Sequence, residues 1–205
     1  MMFFTSHKAW FLVILLTGLV WFGTPVESYS SGISHDDAKN GCVCHGSSET
    51  TNITITLSGL PEKYEVDETY DLEVKFAGGS TPTSDSQNSG GFSLTSSMGF
   101  FTPKNENTQI IDGSITHTTT GNDQRIWQIQ WTAPSDDSKK VLFELKGNSV
   151  NGDAEPNEQD KWNSIEETVK GVNYTEDSSL TSLSFLIVGS TLVIGVVLRR
   201  SYARR

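Results

Sequence analysis

Cys42-Val43-Cys44-His45 sets two thiols one residue apart with an imidazole beside them, and these are the only cysteines of the chain. Thiolate and imidazole are the preferred ligands of copper and zinc, so Cys42, Cys44 and His45 form a three-donor candidate metal site. His35, Asp36 or His117 would complete its shell, although nothing in the sequence brings them close. In an oxidising compartment the same two thiols would pair instead. A disulfide closed over a single residue is strained and correspondingly reducible. Covalent haem c needs Cys-x-x-Cys-His, two thiols for the vinyl groups and a histidine for the iron. The spacing here is one residue short, which counts against haem c. The pair stays open between disulfide, metal ligands and haem attachment.

A second cluster is acidic. Asn151-Gly-Asp153-Ala-Glu155-Pro-Asn157-Glu-Gln-Asp160 presents oxygen donors at alternate positions, and calcium is held by six to eight such oxygens. Asp153, Glu155, Asn157 and Asp160 are therefore candidate calcium ligands. The run is no EF-hand, because Pro156 stands where the turn glycine belongs and Trp162 where the bidentate glutamate belongs. A solvated acidic loop explains the same residues. His117, flanked by threonines, reads as a hydrogen-bonded strand histidine. Trp127, Trp131 and Trp162 read as core and edge packing, with stacking on a sugar as the alternative. Asn52-Ile-Thr and Asn173-Tyr-Thr are glycosylation sequons. No Gly-x-Ser-x-Gly elbow, His-Glu-x-x-His helix or phosphate-cradling glycine loop occurs, and the carboxylates are scattered. No catalytic residue is nominated, and the expectation is a protein that is not an enzyme.

The elements that would position these groups are strands. Ile53, Ile55 and Leu57 alternate with Thr54, Thr56 and Ser58, and Leu72, Val74 and Phe76 alternate with Asp71, Glu73 and Lys75. Such period-two patterning with β-branched residues predicts half-buried strands. Phe92–Ser96, Gln109–Thr118 (interrupted by Gly113), Arg125–Trp131, the alternation around Val141, Phe143 and Leu145, and Ile165–Val172 continue the series. No stretch between residues 29 and 179 sustains a 3.6-residue apolar period. Seven to eight short strands separated by turn signals predict an all-β, antiparallel β-sandwich.

Two apolar segments bracket this region. Ala9–Phe22 follows Lys8 and precedes small residues, the layout of a secretory signal over residues 1–28. Leu180–Leu198 carries no charge, is long enough to span a bilayer, and is followed by Arg199, Arg200, Arg204 and Arg205, which belong on the cytoplasmic side. Between them lie an exposed lead-in (29–50), a sandwich (51–173) and a tether (174–179), ahead of the span (180–198) and a basic tail (199–205). All the acidic residues but Glu27, and all the basic ones but Lys8 and the four terminal arginines, fall in 29–179. That leaves 24 acidic against 10 basic residues and a net charge of −14. Such a surface repels nucleic acid, which is bound through cationic contacts to phosphate.

The order of landmarks carries a resemblance. Cys-x-Cys-His is followed by Ile55-Thr-Leu-Ser-Gly-Leu-Pro61, Tyr64, Gly90-Gly-Phe-Ser-Leu94, Gly99-Phe100, Thr116-His-Thr118, Trp131-Thr-Ala-Pro134, Gly147-Asn-Ser-Val-Asn-Gly-Asp153 and Asp160-Lys-Trp162. Over residues 40–165 this resembles the prokaryotic choice-of-anchor V domain and, more distantly, the reelin-type (Reeler) domain of animal extracellular proteins. The resemblance implies an immunoglobulin-like sandwich displayed outside the cell. Relatives commonly carry Cys-x-x-Cys-His where this chain has Cys-x-Cys-His. Residues and resemblance together lead to one expectation: a module held at the cell membrane by a single span, binding an extracellular protein or glycan or serving a structural role. The competing expectation is a membrane-anchored redox or metal protein using Cys42, Cys44 and His45.

Overall fold

The computed structural model describes residues 29–42, 45–46, 48–83, 88–153 and 155–176. The expected signal segment, Cys44, the expected membrane span and the basic tail lie outside the described residues. Among the described residues no helix is long and apolar enough to cross a membrane.

Among the described residues ten strands, against the seven to eight expected, form two sheets. The smaller has the order β1 (Ile53–Ser58), β3 (Thr69–Gly78), β8 (Ile126–Thr132), β5 (Phe100–Pro103). The larger has the order β2 (Lys63–Tyr64), β10 (Lys161–Gly171), β9 (Lys140–Ser149), β4 (Gly90–Ser96), β7 (Ser114–His117), β6 (Thr108–Ile111). The alternation read from the sequence is the alternation of burial. Ile53, Ile55 and Leu57 of β1 are buried between exposed neighbours, and Trp127, Ile129 and Trp131 of β8 are buried between exposed or half-buried ones. Period-two side chains can bury one face only against a second layer, so the two sheets close on each other. Trp131 meets Phe143 of the opposite sheet edge-on at 4.9 Å between centroids, and Trp127 meets Phe92 at 4.9 Å. Each indole N–H finds a carbonyl, Trp127 that of Gly121 and Trp131 that of Met98. Gly147 leaves the space that Phe76 fills, because a Cβ there would lie 2.0 Å from the Phe76 ring.

Three details differ from expectation. Gln109–Thr118 is a hairpin of two strands, turned at Asp112 (φ 48°) and Gly113 (φ 82°), both left-handed as a two-residue hairpin turn requires. The sheet is not wholly antiparallel, since β10 runs parallel to the two-residue β2 through Lys170↔Lys63 and Gly171↔Tyr64. Such a strand is too short to leave a pattern. The lead-in is not exposed along its length: Gly32, Ser34, Ala38 and Gly41 are buried, and it carries a one-turn helix, α1 (His35–Ala38), capped by Ser34.

Candidate functional site

The lead-in is a strap across the outer face of the larger sheet. At one edge the Ile33 N–H donates to Thr116 Oγ1 (3.2 Å) and the His35 N–H to Ser114 Oγ (3.0 Å), both on β7. Gln109 Nε2 and Asn122 Nδ2 donate to the carbonyls of Ser31 and Ser30. Further along, Lys146 Nζ on β9 donates to the Lys39 carbonyl at 3.2 Å. At the far edge the Trp162 indole of β10 donates to the Gly46 carbonyl at 3.0 Å. Its six-membered ring lies against Gly41, where a Cβ would come within 2.1 Å, and the φ of +86° there is itself left-handed. Strands whose outward residues are Ser114, Thr116, Ser93 and Lys146 thus acquire a polar seam on which a chain segment can lie.

His45 ends the strap. Its Nδ1 lies 2.7 Å from Asp160 Oδ2. A carboxylate only accepts, so Nδ1 carries the hydrogen and Nε2 is the nitrogen left for any further contact. Asp160 is buried at 3% exposure. It also accepts the Asn151 N–H on Oδ1 (3.1 Å) and the Asn157 N–H on Oδ2 (3.4 Å), so one buried carboxylate ties the strap to the acidic loop. Within that loop Asp153 accepts from Asn151 Nδ2, Asn157 Nδ2 and the Glu155 N–H. Those bonds hold its carboxyl below the usual range, that of Asn151 first. Asp153, Asn157 and Asp160 are brought together, with Glu155 on the same loop, but the two aspartates spend their oxygens on N–H donors rather than facing a common centre. Among the described residues no three His, Cys, Asp or Glu side chains converge as a metal centre. Cys42 lines the same cleft as His45, whereas Cys44 lies outside the described residues.

Between strap and sheet is a cavity of about 120 Å³, lined by Ile33, Ala38, Phe92 and Val150 together with His45, His117, Ser93 and Asn122. His117 is buried, and its Nδ1 accepts the Phe92 N–H at 3.1 Å. Burial is the main cause pushing its pKa below the ordinary value, opposed by backbone contacts at Phe92 and Tyr29. The N–H donated into Nδ1 adds to the preference for neutral imidazole, since an imidazolium has no lone pair to accept it. The ring occupies the space over Gly91, where a Cβ would lie 2.4 Å from Cε1. His117 is accordingly the hydrogen-bonded strand histidine expected. Ser93 Oγ and Asn122 Oδ1 are buried without a hydrogen-bond partner. Sequence reasoning missed both, because Ser and Asn on strand and turn carry no mark of burial; the strap creates it. The three sandwich tryptophans, 1%, 0% and 5% exposed at 127, 131 and 162, have no face to offer a sugar. Both sequon asparagines are exposed, and the Asn173 amide is held by Asp137 at 3.0 Å.

No protein-family model and no curated protein matches the chain, so the choice-of-anchor resemblance rests on its landmarks. Among solved structures the chain is similar to the Reelin-N domain of F-spondin, at 18% identity, covering 63% of this chain and 94% of that one, with a TM-score of 0.42. It is similar to a human F-spondin reeler domain at 18% identity, covering 60% and 90%, with a TM-score of 0.41. A cohesin module from a Clostridium perfringens glycoside hydrolase is similar at 10% identity, covering 60% and 99%, with a TM-score of 0.33. The Reeler likeness read from the landmarks thus recurs among folded structures as a distant one. The chemistry of the cleft is read from its own side chains.

Proposed function

We propose that this chain is an exported, non-enzymatic binding module, an immunoglobulin-like sandwich held at the outer face of the cell membrane by one C-terminal span. The observation that carries the reading is the strap-built cleft on the larger sheet, since a concave, mostly apolar site with a few fixed polar groups is the usual form of a binding site. Three of its titratable groups are engaged structurally: His117 accepts the Phe92 N–H, His45 is paired with Asp160, and Asp37 accepts the Ser34 hydroxyl. The two apolar segments and the net charge of −14 between them support display outside the cell, where a self-repelling surface stays soluble.

The test is labelling of intact cells with a membrane-impermeant amine reagent. Exposed Lys63, Lys75 and Lys170 on the sandwich are expected to react. Protection of these lysines until the cells are lysed would refute display.

One observation favours the second reading, a membrane-anchored metal or redox protein. Histidines that bind metal characteristically hand their other nitrogen to a carboxylate, as His45 does with Asp160. Cys42, Cys44 and His45 would then hold copper or zinc, and with copper the thiolates would tune its potential. Elemental analysis of chain purified without chelator separates the two readings. Stoichiometric copper or zinc that disappears in Cys42→Ser/Cys44→Ser would replace the binding-module reading; a metal-free folded chain would end the metal one.

A further inference from the structure

The geometry points to a specific occupant class for the cleft: a small uncharged molecule the size of one ring, carrying a hydroxyl or amide hydrogen. This deepens the binding-module reading and rests on it.

Size comes first. A cavity of about 120 Å³ is close to the ~150 Å³ of an apolar protein cavity that takes up benzene. Ile33, Ala38, Phe92 and Val150 line it, so most of an occupant's surface would be apolar.

Two polar atoms then set the chemistry. Ser93 Oγ and Asn122 Oδ1 belong to residues 4% and 5% exposed, line the cavity and lack partners. The Asn122 amide is not free to turn, because its Nδ2 donates to the Ser30 carbonyl at 3.0 Å. Oδ1 is therefore a fixed acceptor, and the serine hydroxyl is a donor or acceptor as needed. Buried groups of this kind are nearly always satisfied, and the protein supplies nothing here to satisfy them. An occupant must bring at least one N–H or O–H for Asn122.

Charge is disfavoured at depth. The two buried polar atoms, Ser93 Oγ and Asn122 Oδ1, are neutral. The charged lining side chains stay at the mouth: Asp37 is an exposed residue, and Lys146 Nζ meets the Lys39 carbonyl in an exposed contact. An anion or cation seated against Ser93 and Asn122 would lose its hydration without a counter-charge beside it, which is costly.

Phenol, seven heavy atoms with one hydroxyl, is the probe, and benzene is the control lacking only the hydrogen bond. The full chain is placed in nanodiscs with its Ile and Val methyls labelled. Free probe is fixed by dialysis, so that partition into lipid does not enter. Phenol is expected to shift the Ile33 and Val150 methyls saturably and to bind about fivefold or more tighter than benzene, the worth of one hydrogen bond. Ser93→Ala and Asn122→Ala should each reduce the preference for phenol over benzene. Because Asn122 also ties down Ser30, Ser93→Ala is the decisive variant: it removes a buried orphan hydroxyl and is expected to fold at least as stably as the parent. Equal binding of phenol and benzene, an unchanged preference in Ser93→Ala, or no saturable shift at either methyl would overturn the proposal. So would ordered waters on Ser93 and Asn122 that phenol does not displace. The titration reports the cleft and the lysine labelling reports display, so each can fail alone.

Discussion

Gly91→Ala should destabilise the sandwich through one ring. The backbone at Gly91 is ordinary strand, so alanine meets no conformational penalty, and its lower unfolded-state entropy would stabilise by about 0.4–1 kcal/mol. The added Cβ, however, would stand 2.4, 2.7 and 2.8 Å from Cε1, Nε2 and Nδ1 of His117. The ring is buried and cannot swing into solvent without dislodging the strap. Displacing it costs about 1–3 kcal/mol in overpacking. It also breaks the 3.1 Å bond from the Phe92 N–H, leaving a buried donor unpaired at roughly another 1–3 kcal/mol. The net expectation is about 2–4 kcal/mol, a large share of the ~5–15 kcal/mol typical of a domain. In a His117→Ala background the obstructing ring is gone and the Phe92 N–H is already unpaired, so the same glycine substitution should cost little or stabilise. Urea denaturation followed by tryptophan fluorescence on all four proteins gives the coupling, because Trp127 lies 4.9 Å from Phe92 and senses this region. A coupling of about 2 kcal/mol or more is expected. If Gly91→Ala costs the same with and without the imidazole, the argument from the ring is wrong.

Stability should fall on acidification below the unfolded-state histidine pKa of about 6.5. The folded pKa of His117 is depressed, first by burial, so between the two values the unfolded chain binds the proton the folded chain refuses. This contribution is present in full above the unfolded value and declines as pH drops toward the folded one, by at most about 1.4 kcal/mol per pH unit for one proton. A His117→Gln variant should show a shallower decline, and an unchanged slope would assign the effect elsewhere. Asp160→Ala leaves the Asn151 and Asn157 N–H groups and His45 without their acceptor. It should lose roughly 3 kcal/mol and open new protease cuts between residues 41 and 50, while Asp160→Asn, keeping one accepting oxygen, should lose less; cut patterns identical to the parent would argue against the tie. Trp162→Ala empties the space against Gly41 and deletes the bond to the Gly46 carbonyl. It should cost about 3–5 kcal/mol and free the strap to proteolysis, and a strap as resistant as before would show that other contacts hold it.

The strands and the core were legible in the residues, because the pleat forces alternate side chains to opposite faces and a half-buried sheet must write that alternation into its sequence. Ile53, Ile55, Leu57, Leu72, Val74, Trp127, Ile129 and Phe143 are buried as their spacing predicts. What left no pattern was short or made of connections. The two-residue β2 and the strand β5, Phe100–Pro103, have too few positions for a period to show. Gly90-Gly-Phe and Thr116-His-Thr, separate landmarks in sequence, are one packing unit, since Gly91 is the floor on which His117 rests.

Composition and spacing by themselves established an all-β chain, a strongly acidic central region between two apolar segments, and the residue types able to hold a metal or close a disulfide. They also supplied Asp153, Asn157 and Asp160 as a cluster, because an oxygen donor every second or third residue on one loop is a local property. Tertiary structure alone decided what those groups do. Asp160 meets His45 across 115 positions, Trp162 clamps Gly41 and Gly46, and a polar lead-in becomes a half-buried strap over Ser93 and Asn122. Such contacts depend on which strands neighbour one another in a sheet. That order is set by the closure of the whole core, to which no single segment holds the key.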